Sequence, residues 1–198
     1  MPPPTDRELV ELAVAGDAES FGALVRRHQR RIFRLALHLT RDGAEAEDVT
    51  QDTFVRAYQA LARFDGRSEP FTWLYRIAVN LSLNVLRSRK PRQSAGDAAD
   101  PRIELLLTEQ RPSGGTSPDG AAASRELAVA VCEGLDALSE TLRTTLLLVC
   151  VDELRHDEAA EVLGCPEGTV AWRVHEARKR LRAFLAERGF ERTDGAPR

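Results

Sequence analysis

The chain has 198 residues, 42% hydrophobic and 30% charged, with a formal net charge of −3. That length suffices for one or two domains with real cores, and the composition is that of a globular chain. The near-neutral total excludes a uniformly basic nucleic-acid binder, and no apolar run approaches the roughly 18 residues of a membrane span.

The first residues, MPPPTDRELVE, have neither the basic start nor the apolar core of a signal peptide, so a cytoplasmic location is expected. Thr5 with Glu8 predicts a capping box and a helix to about residue 15. Asp17 can cap a second helix to about residue 39, with Phe21, Leu24, Val25, Ile32, Leu35 and Leu39 as core positions. Asp42 with Glu45 predicts a third, to about residue 63. On this helix Glu45, Asp48, Gln51 and Asp52 lie on one side, continued by Val55. Glu45 is an ordinary first-turn complement to the helix dipole. Asp48 and Asp52 lie beyond that turn and favour a protein partner with a basic surface.

The stretch 65–90 is the most informative. Pro70 suits the first turn of a helix and Pro91 marks its end. At about 100° per residue, Leu74, Ile77, Ala78, Leu81 and Val85 share an apolar face. Trp73, Arg76, Asn80, Asn84 and Arg87 share the opposite one. Such a row can stack on bases, hydrogen-bond base edges and pair with phosphates. The plainer alternative is a polar face with an incidental Trp. Local charge supports nucleic acid. Between 63 and 92, Arg63, Arg67, Arg76, Arg87, Arg89, Lys90 and Arg92 face only Asp65 and Glu69.

From 91 to about 123 Pro, Gly, Ser, Ala and Asp dominate, which predicts a flexible linker. The apolar patch 103–107 (IELLL) is a short helix, a docking segment or a core-packing turn. Helices are predicted over 124–138 and, capped by Ser139, to about 151. Then 157–163 forms a short helix, Gly164 occupies a left-handed position, Pro166 and Gly168 shape a turn, and a long helix runs over 167–187. Ala159, Ala160 and Leu163 can pack on Val170 and Val174, a helix-turn-helix pattern. In its second helix Val170, Val174, Ala177 and Leu181 point inward, and Thr169, Trp172, His175, Glu176 and Lys179 outward. Arg173, Arg178, Arg180 and Arg182 flank them, where they could hold phosphates. Glu176 either accepts from a cytosine amino group or is a solvated charge paired with Lys179 or Arg180.

No segment alternates with period two, so the fold class is all-α: two small helical domains joined by a linker. Cys132, Cys150 and Cys165 match no zinc or CxxC spacing and are expected to be reduced, mostly buried thiols. The four histidines are scattered, so neither a metal nor a cofactor is expected. No phosphate-binding loop, HExxH or GxSxG is present, so no catalytic residue is assigned.

Four segments in order resemble the extracytoplasmic function (ECF) sigma factors of bacterial RNA polymerase, sigma-E-like branch. DAESFGALVRRHQRRIFRLALHLT is similar to the family's first helical domain, and AEDVTQDTFVRAYQAL to its polymerase-binding helix. RFDGRSEPFTWLYRIAVN is similar to its −10 melting segment, and LRHDEAAEVLGCPEGTVAWRVHEARKRL to its −35 helix-turn-helix. The resemblance implies a polymerase-binding, −10-reading domain over 1–91, a linker over 92–123, a −35-reading domain over 124–188 and a disordered tail over 189–198. It implies that Asp48, Gln51, Asp52 and Arg56 contact the β′ clamp helices of core RNA polymerase. Phe64, Trp73, Arg76, Asn80, Asn84 and Arg87 would bind the opened −10 strand, with one unpaired base near Phe64 and Asn80. Trp73 either touches DNA or buttresses the preceding loop. The linker would run toward the RNA exit path along the β subunit. An anti-sigma partner, often membrane-anchored in this family, is also implied. The competing readings are a helix-turn-helix regulator that acts without polymerase and, more distantly, a nucleic-acid enzyme.

The chain departs from the family at its −35 end. Arg155 stands where relatives usually have a capping Ser or Thr, which weakens the cap by about 1 kcal/mol. Relatives usually have Lys or Arg and then Ser where Ala171 and Trp172 stand, and often Arg at Glu176. Arg173 and Arg178 carry over as backbone contacts, and Thr169, Trp172, His175 and Glu176 are candidates for base readout. Promoters selected from a random library should therefore carry a −35 element unlike the common sigma-E-like one; recovery of the common motif would refute this.

Overall fold

In a computed structural model, residues 3–88, 100–109 and 118–190 are described. The described residues are helical or in turns, with no strand. Pro91, the predicted stop of the 65–90 helix, lies outside them, as do Arg89, Lys90 and Arg92.

The first four helices form one bundle: α1 (Asp6–Val14), α2 (Ala18–Thr40), α3 (Gly43–Ala60) and α4 (Pro70–Ser88). Their starts follow from the predicted caps, because each side chain satisfies a backbone N–H that the helix leaves free. The Glu8 carboxylate accepts from the Thr5 N–H at 2.7 Å while Thr5 Oγ1 accepts from the Glu8 N–H at 3.3 Å. Asp17 accepts from the Glu19 N–H at 3.1 Å, and Asp42 from the Glu45 N–H at 3.1 Å. α3 gives way at Leu61 to a single 3₁₀ turn, Leu61–Arg63, so it stops short of the predicted 63. Ile32, Leu35 and Leu39 of α2, Ala57 of α3 and Leu74 and Ala78 of α4 are buried at the centre.

The second group comprises α6 (Pro118–Ala137), α7 (Glu140–Cys150), α8 (His156–Leu163) and α9 (Glu167–Glu187). Gly164 ends α8 at φ 62°, the left-handed geometry its lack of a Cβ makes cheap. Ala159, Val170, Val174 and Ala177 are buried at the crossing of α8 and α9, as the spacing predicts. Arg155 supplies no side-chain cap, but its N–H donates to the Glu158 carboxylate at 2.8 Å, which recovers half of a capping box.

Two features depart from the predicted linker. α6 begins at Pro118, ahead of the predicted 124, because Pro fits a first helical turn and the alanines at 121–123 favour a helix. The apolar patch belongs to α5 (Pro101–Glu109), which docks on α6 by packing Ile103 against Ala128 and Cys132. Beside it the Arg102 guanidinium, 3% exposed, reaches Asp136 at 2.8 Å and 2.9 Å and also binds Asp100. Burial opposes this charge, but the hydrogen bonds that Arg102 donates to Asp136 and Asp100 outweigh burial and hold the Arg102 pKa above its usual value.

The cysteines divide. Cys132 is buried, and burial pushes its thiol pKa up to about 11, whereas Cys150 is exposed and Cys165 half-buried. The expectation of mostly buried thiols holds fully for Cys132 alone.

α6 and α9 approach closely at Gly134, where a Cβ would fall 2.5 Å from Leu181 Cδ1 and 2.9 Å from a Phe184 ring carbon. Gly134→Ala should cost about 1–3 kcal/mol through overpacking, seen as a lower urea midpoint with unchanged slope.

Candidate polymerase and nucleic-acid interfaces

α3 presents its acids as predicted. Asp48, Gln51, Asp52 and Arg56 are all exposed, and Val55 and Tyr58 are exposed apolar neighbours. The opposite side of α3 is fixed by buried Ala46, Val49, Thr53, Phe54 and Ala57. The helix thus holds a mixed acidic and apolar strip on a rigid support, the chemistry of a protein-binding face.

α4 has three sides. Leu74, Ala78 and Leu81 enter the first bundle, while Ile77 and Val85 are half-buried. Tyr75 and Val79, also buried, form a second apolar side within the cluster that includes Leu154 and Val162 of the other bundle, where α8 packs on α4. Arg76, Asn80, Asn84 and Arg87 remain exposed along the third. Trp73 does not stand out from that row. It is half-buried against the core, its ring centroid 5.0 Å from that of Phe64. The loop after the 3₁₀ turn folds Phe64 over it, so the helical period sets its direction but the loop covers it. α1 pins the same loop: Arg7 Nη1 donates to the Gly66 carbonyl at 3.3 Å and Arg7 Nη2 to Glu69 at 2.8 Å.

On α9, Thr169 is half-buried, and Trp172, His175 and Lys179 are exposed, Trp172 to 62%. Glu176 is committed within its own helix: Arg180 Nε donates to its carboxylate at 2.7 Å. That hydrogen bond holds the Glu176 pKa below the usual range, which favours the solvated-pair reading over base contact. The predicted backbone cations are also engaged. Arg173 Nη1 donates to Cys165 Sγ at 3.5 Å and Arg178 Nη2 to Cys150 Sγ at 3.1 Å. Thiols are weak acceptors, so both guanidiniums are oriented yet easily released.

Sequence reasoning missed Arg31, Arg34, Tyr75 and Asp152, which join the two bundles. An acid directly after the apolar run 146–151 was the available signal, since a charge there must be paired if buried.

Comparison with known proteins agrees with this architecture. Residues 24–92 match the Sigma-70 region 2 family and residues 132–181 match Sigma-70, region 4. The chain is 37% identical over 178 residues to the RNA polymerase sigma-H factor of Pseudomonas aeruginosa, covering 89% of this chain and 91% of that protein. It is 36% identical over 182 residues to the ECF RNA polymerase sigma-E factor of Escherichia coli K12, covering 89% and 92%. Among solved structures it superimposes on CnrH in complex with the cytosolic domain of CnrY, with a TM-score of 0.69 and 28% identity over 92% of this chain and 97% of that one. The sigma factor RpoE of Bartonella quintana, solved with the anti-sigma factor NepR, shares the fold at a TM-score of 0.62 and 20% identity, covering 85% and 98%.

Such matches define a two-domain, all-helical sigma-70 protein. The chain belongs to the ECF sigma factors, which bind core RNA polymerase and direct promoter-specific initiation. The match to region 2 does not favour the polymerase-independent regulator. Among the described residues no helix is long and apolar enough to cross a membrane.

Trp73→Ala should cost roughly 2–4 kcal/mol, about 1 from the Phe64 pair and the rest from lost burial against the core, and should loosen loop 64–69. Trp73→Phe should keep most of that stability. Urea titration of both variants checks this, and equal midpoints would contradict the packing assigned to Trp73.

Proposed function

We propose that the three exposed surfaces divide the work of initiation. α3 docks through Asp48, Gln51, Asp52 and Arg56 on the β′ clamp helices. α4 and its loop take the opened −10 strand: Arg76 and Arg87 hold phosphates, Asn80 and Asn84 read base edges, and Phe64 stacks, with Trp73 behind it as a buttress. Flipping a base costs a few kcal/mol, which stacking and edge hydrogen bonds offset. α9 enters the −35 major groove, with Thr169, Trp172 and His175 toward the bases and Arg173 and Arg178 toward phosphates. The carrying observation is the exposed Arg76–Asn80–Asn84–Arg87 row on a helix anchored by its two other sides.

The domain limits become 1–91 and 118–188, the second opening with α6 ahead of the predicted 124, with α5 as a docked element inside the connection and 191–198 outside the described residues. The chain supplies binding and positioning but no chemistry, and it acts in the cytoplasm. Control by an anti-sigma partner fits the family; the solved CnrH structure holds the cytosolic domain of a second protein, CnrY.

Core polymerase should copurify with the chain and support run-off transcription from the region upstream of its own coding sequence. Asp48→Ala with Asp52→Ala should abolish copurification. Asn80→Ala with Asn84→Ala should keep docking but lower open-complex formation tenfold or more, since each base contact is worth about 1–3 kcal/mol. Full open-complex formation by that double variant would overturn the −10 assignment.

A further inference from the structure

Two neighbouring residues in the first turn of α1 reach in different directions. The Asp6 carboxylate accepts from Arg27 Nη1 and lies 2.7 Å from His28 Nε2, both on α2. Arg27 Nη2 also donates to the Pro4 carbonyl at 2.9 Å, and Leu9, Val10 and Ala13 are buried in the core. α1 is thereby fixed to the bundle. Arg7, the next residue, reaches the loop that precedes α4.

Arg7 spans that loop. Its Nη1 donates to the Gly66 carbonyl at 3.3 Å, and its Nη2 and Nε donate to the Glu69 carboxylate at 2.8 Å and 3.2 Å. Gly66 takes a left-handed φ of 69°, open to a residue without a Cβ. Phe64 begins the loop and Glu69 ends it, the Glu69 carbonyl accepting from the Trp73 N–H at 3.1 Å. One guanidinium thus ties the bend of the loop to its α4 end.

Two physical points define what this tie does. The Arg7 and Glu69 side chains are each 51% exposed, so solvent screens the pair and it adds little to global stability. A planar fork with three hydrogen bonds fixes the geometry of the loop instead. Charge is the second point. Asp65 and Glu69 are the only acids between 63 and 92, and an unpaired carboxylate there would repel a phosphate. Arg67 pairs with Asp65 at 3.3 Å, and Arg7 pairs with Glu69 from another helix.

We infer that Arg7 is a positioning residue for −10 recognition: from α1 it holds loop 64–69 in the shape that receives the unpaired base, and it neutralises Glu69 beside the strand. The inference rests on the assignment of α4 and its loop as the −10 reader. A loop already in its bound shape need not be ordered when the strand arrives, so affinity falls when the tie is cut.

The test uses holoenzyme rebuilt from core polymerase and the full chain, on a promoter recovered from the random library. Permanganate reactivity of the −10 thymines reads strand opening. Arg7→Ala should lower opening about fivefold or more, while copurification with core polymerase and the urea midpoint stay unchanged. Arg7→Lys keeps the charge without the fork and should fall between the parent chain and Arg7→Ala. Arg7→Glu should open least, because it repels Glu69, and adding Glu69→Arg should restore most of the opening. If Arg7→Ala and Arg7→Glu open the promoter normally while Asn80→Ala with Asn84→Ala still blocks opening, the positioning role is wrong and the −10 assignment survives. If that Asn pair opens normally, the −10 assignment itself has failed. A fall in urea midpoint and copurification that accompanies the loss of opening would make Arg7 a general structural tie and overturn its positioning role. A swapped pair that restores nothing would place Arg7 directly on DNA and overturn it as well.

Discussion

α4 has to satisfy three environments with 19 residues, and the rest of the structure depends on how it does so. Its Leu74–Ala78–Leu81 side closes the first bundle, and its Tyr75–Val79 side meets the second. Only the remaining third is free to carry Arg76, Asn80, Asn84 and Arg87. A helix held on two sides cannot roll, so the polar row keeps a fixed direction, as the −10 role proposed for it requires. A cost accompanies this rigidity: whatever holds the second side also sits next to the reading row.

The contact between the bundles is electrostatically ordered. Arg31, Arg34, Arg41, Arg76 and Arg87 of the first bundle meet Asp136, Glu140, Asp152, Glu161 or nearby carbonyls of the second. These contacts are not equivalent. Arg76–Glu161 and Arg87–Glu140 are about half exposed, so water and salt screen them and each contributes little to holding the bundles together. Asp152 is different, because a buried carboxylate must keep its partner or be left unpaired in the interior. Burial pushes the Asp152 pKa up, while Arg34 pulls it back toward the ionised form. The central pair therefore sets register and persistence, and the outer pairs set which cations are occupied.

Much of the molecule was legible in the chain. Thr5, Asp17, Asp42 and Ser139 start helices where their side chains predict, and Gly164 turns the helix-turn-helix where only a left-handed residue fits. The apolar side of α4 and the outward acids of α3 follow from period alone. What escaped was whatever depends on a partner distant in sequence. Periodicity marks Tyr75 and Val79 as apolar but cannot say that their neighbour is α8. Trp73 points with the polar row by angle, yet Phe64 covers it from a loop. α5 lies in a stretch rich in linker residues, and contacts 25 or more residues away, Ile103 with Ala128 and Arg102 with Asp136, give it a place. Arg34 and Asp152 are separated by 118 residues, beyond any local pattern.

The same distinction bears on α9, the helix proposed to read the −35 element. An acid at position 176 would repel phosphate if it stood alone. Here Arg180 neutralises it at 2.7 Å within one helical turn. The pair is locally complete, so Glu176 can remain on a DNA-facing helix without demanding a base partner, and using it on cytosine would first require breaking that bond. On the proposed −35 reading, discrimination then falls to the uncommitted side chains beside it. Trp172 is the largest of these, and 62% exposure of an indole gives apolar surface that only a partner can bury. A thymine methyl offers that surface in the major groove, and a cytosine amino group does not. On the proposed reading positions 176 and 172 act together: the acid is paired within the helix, and the exposed ring holds the outward position.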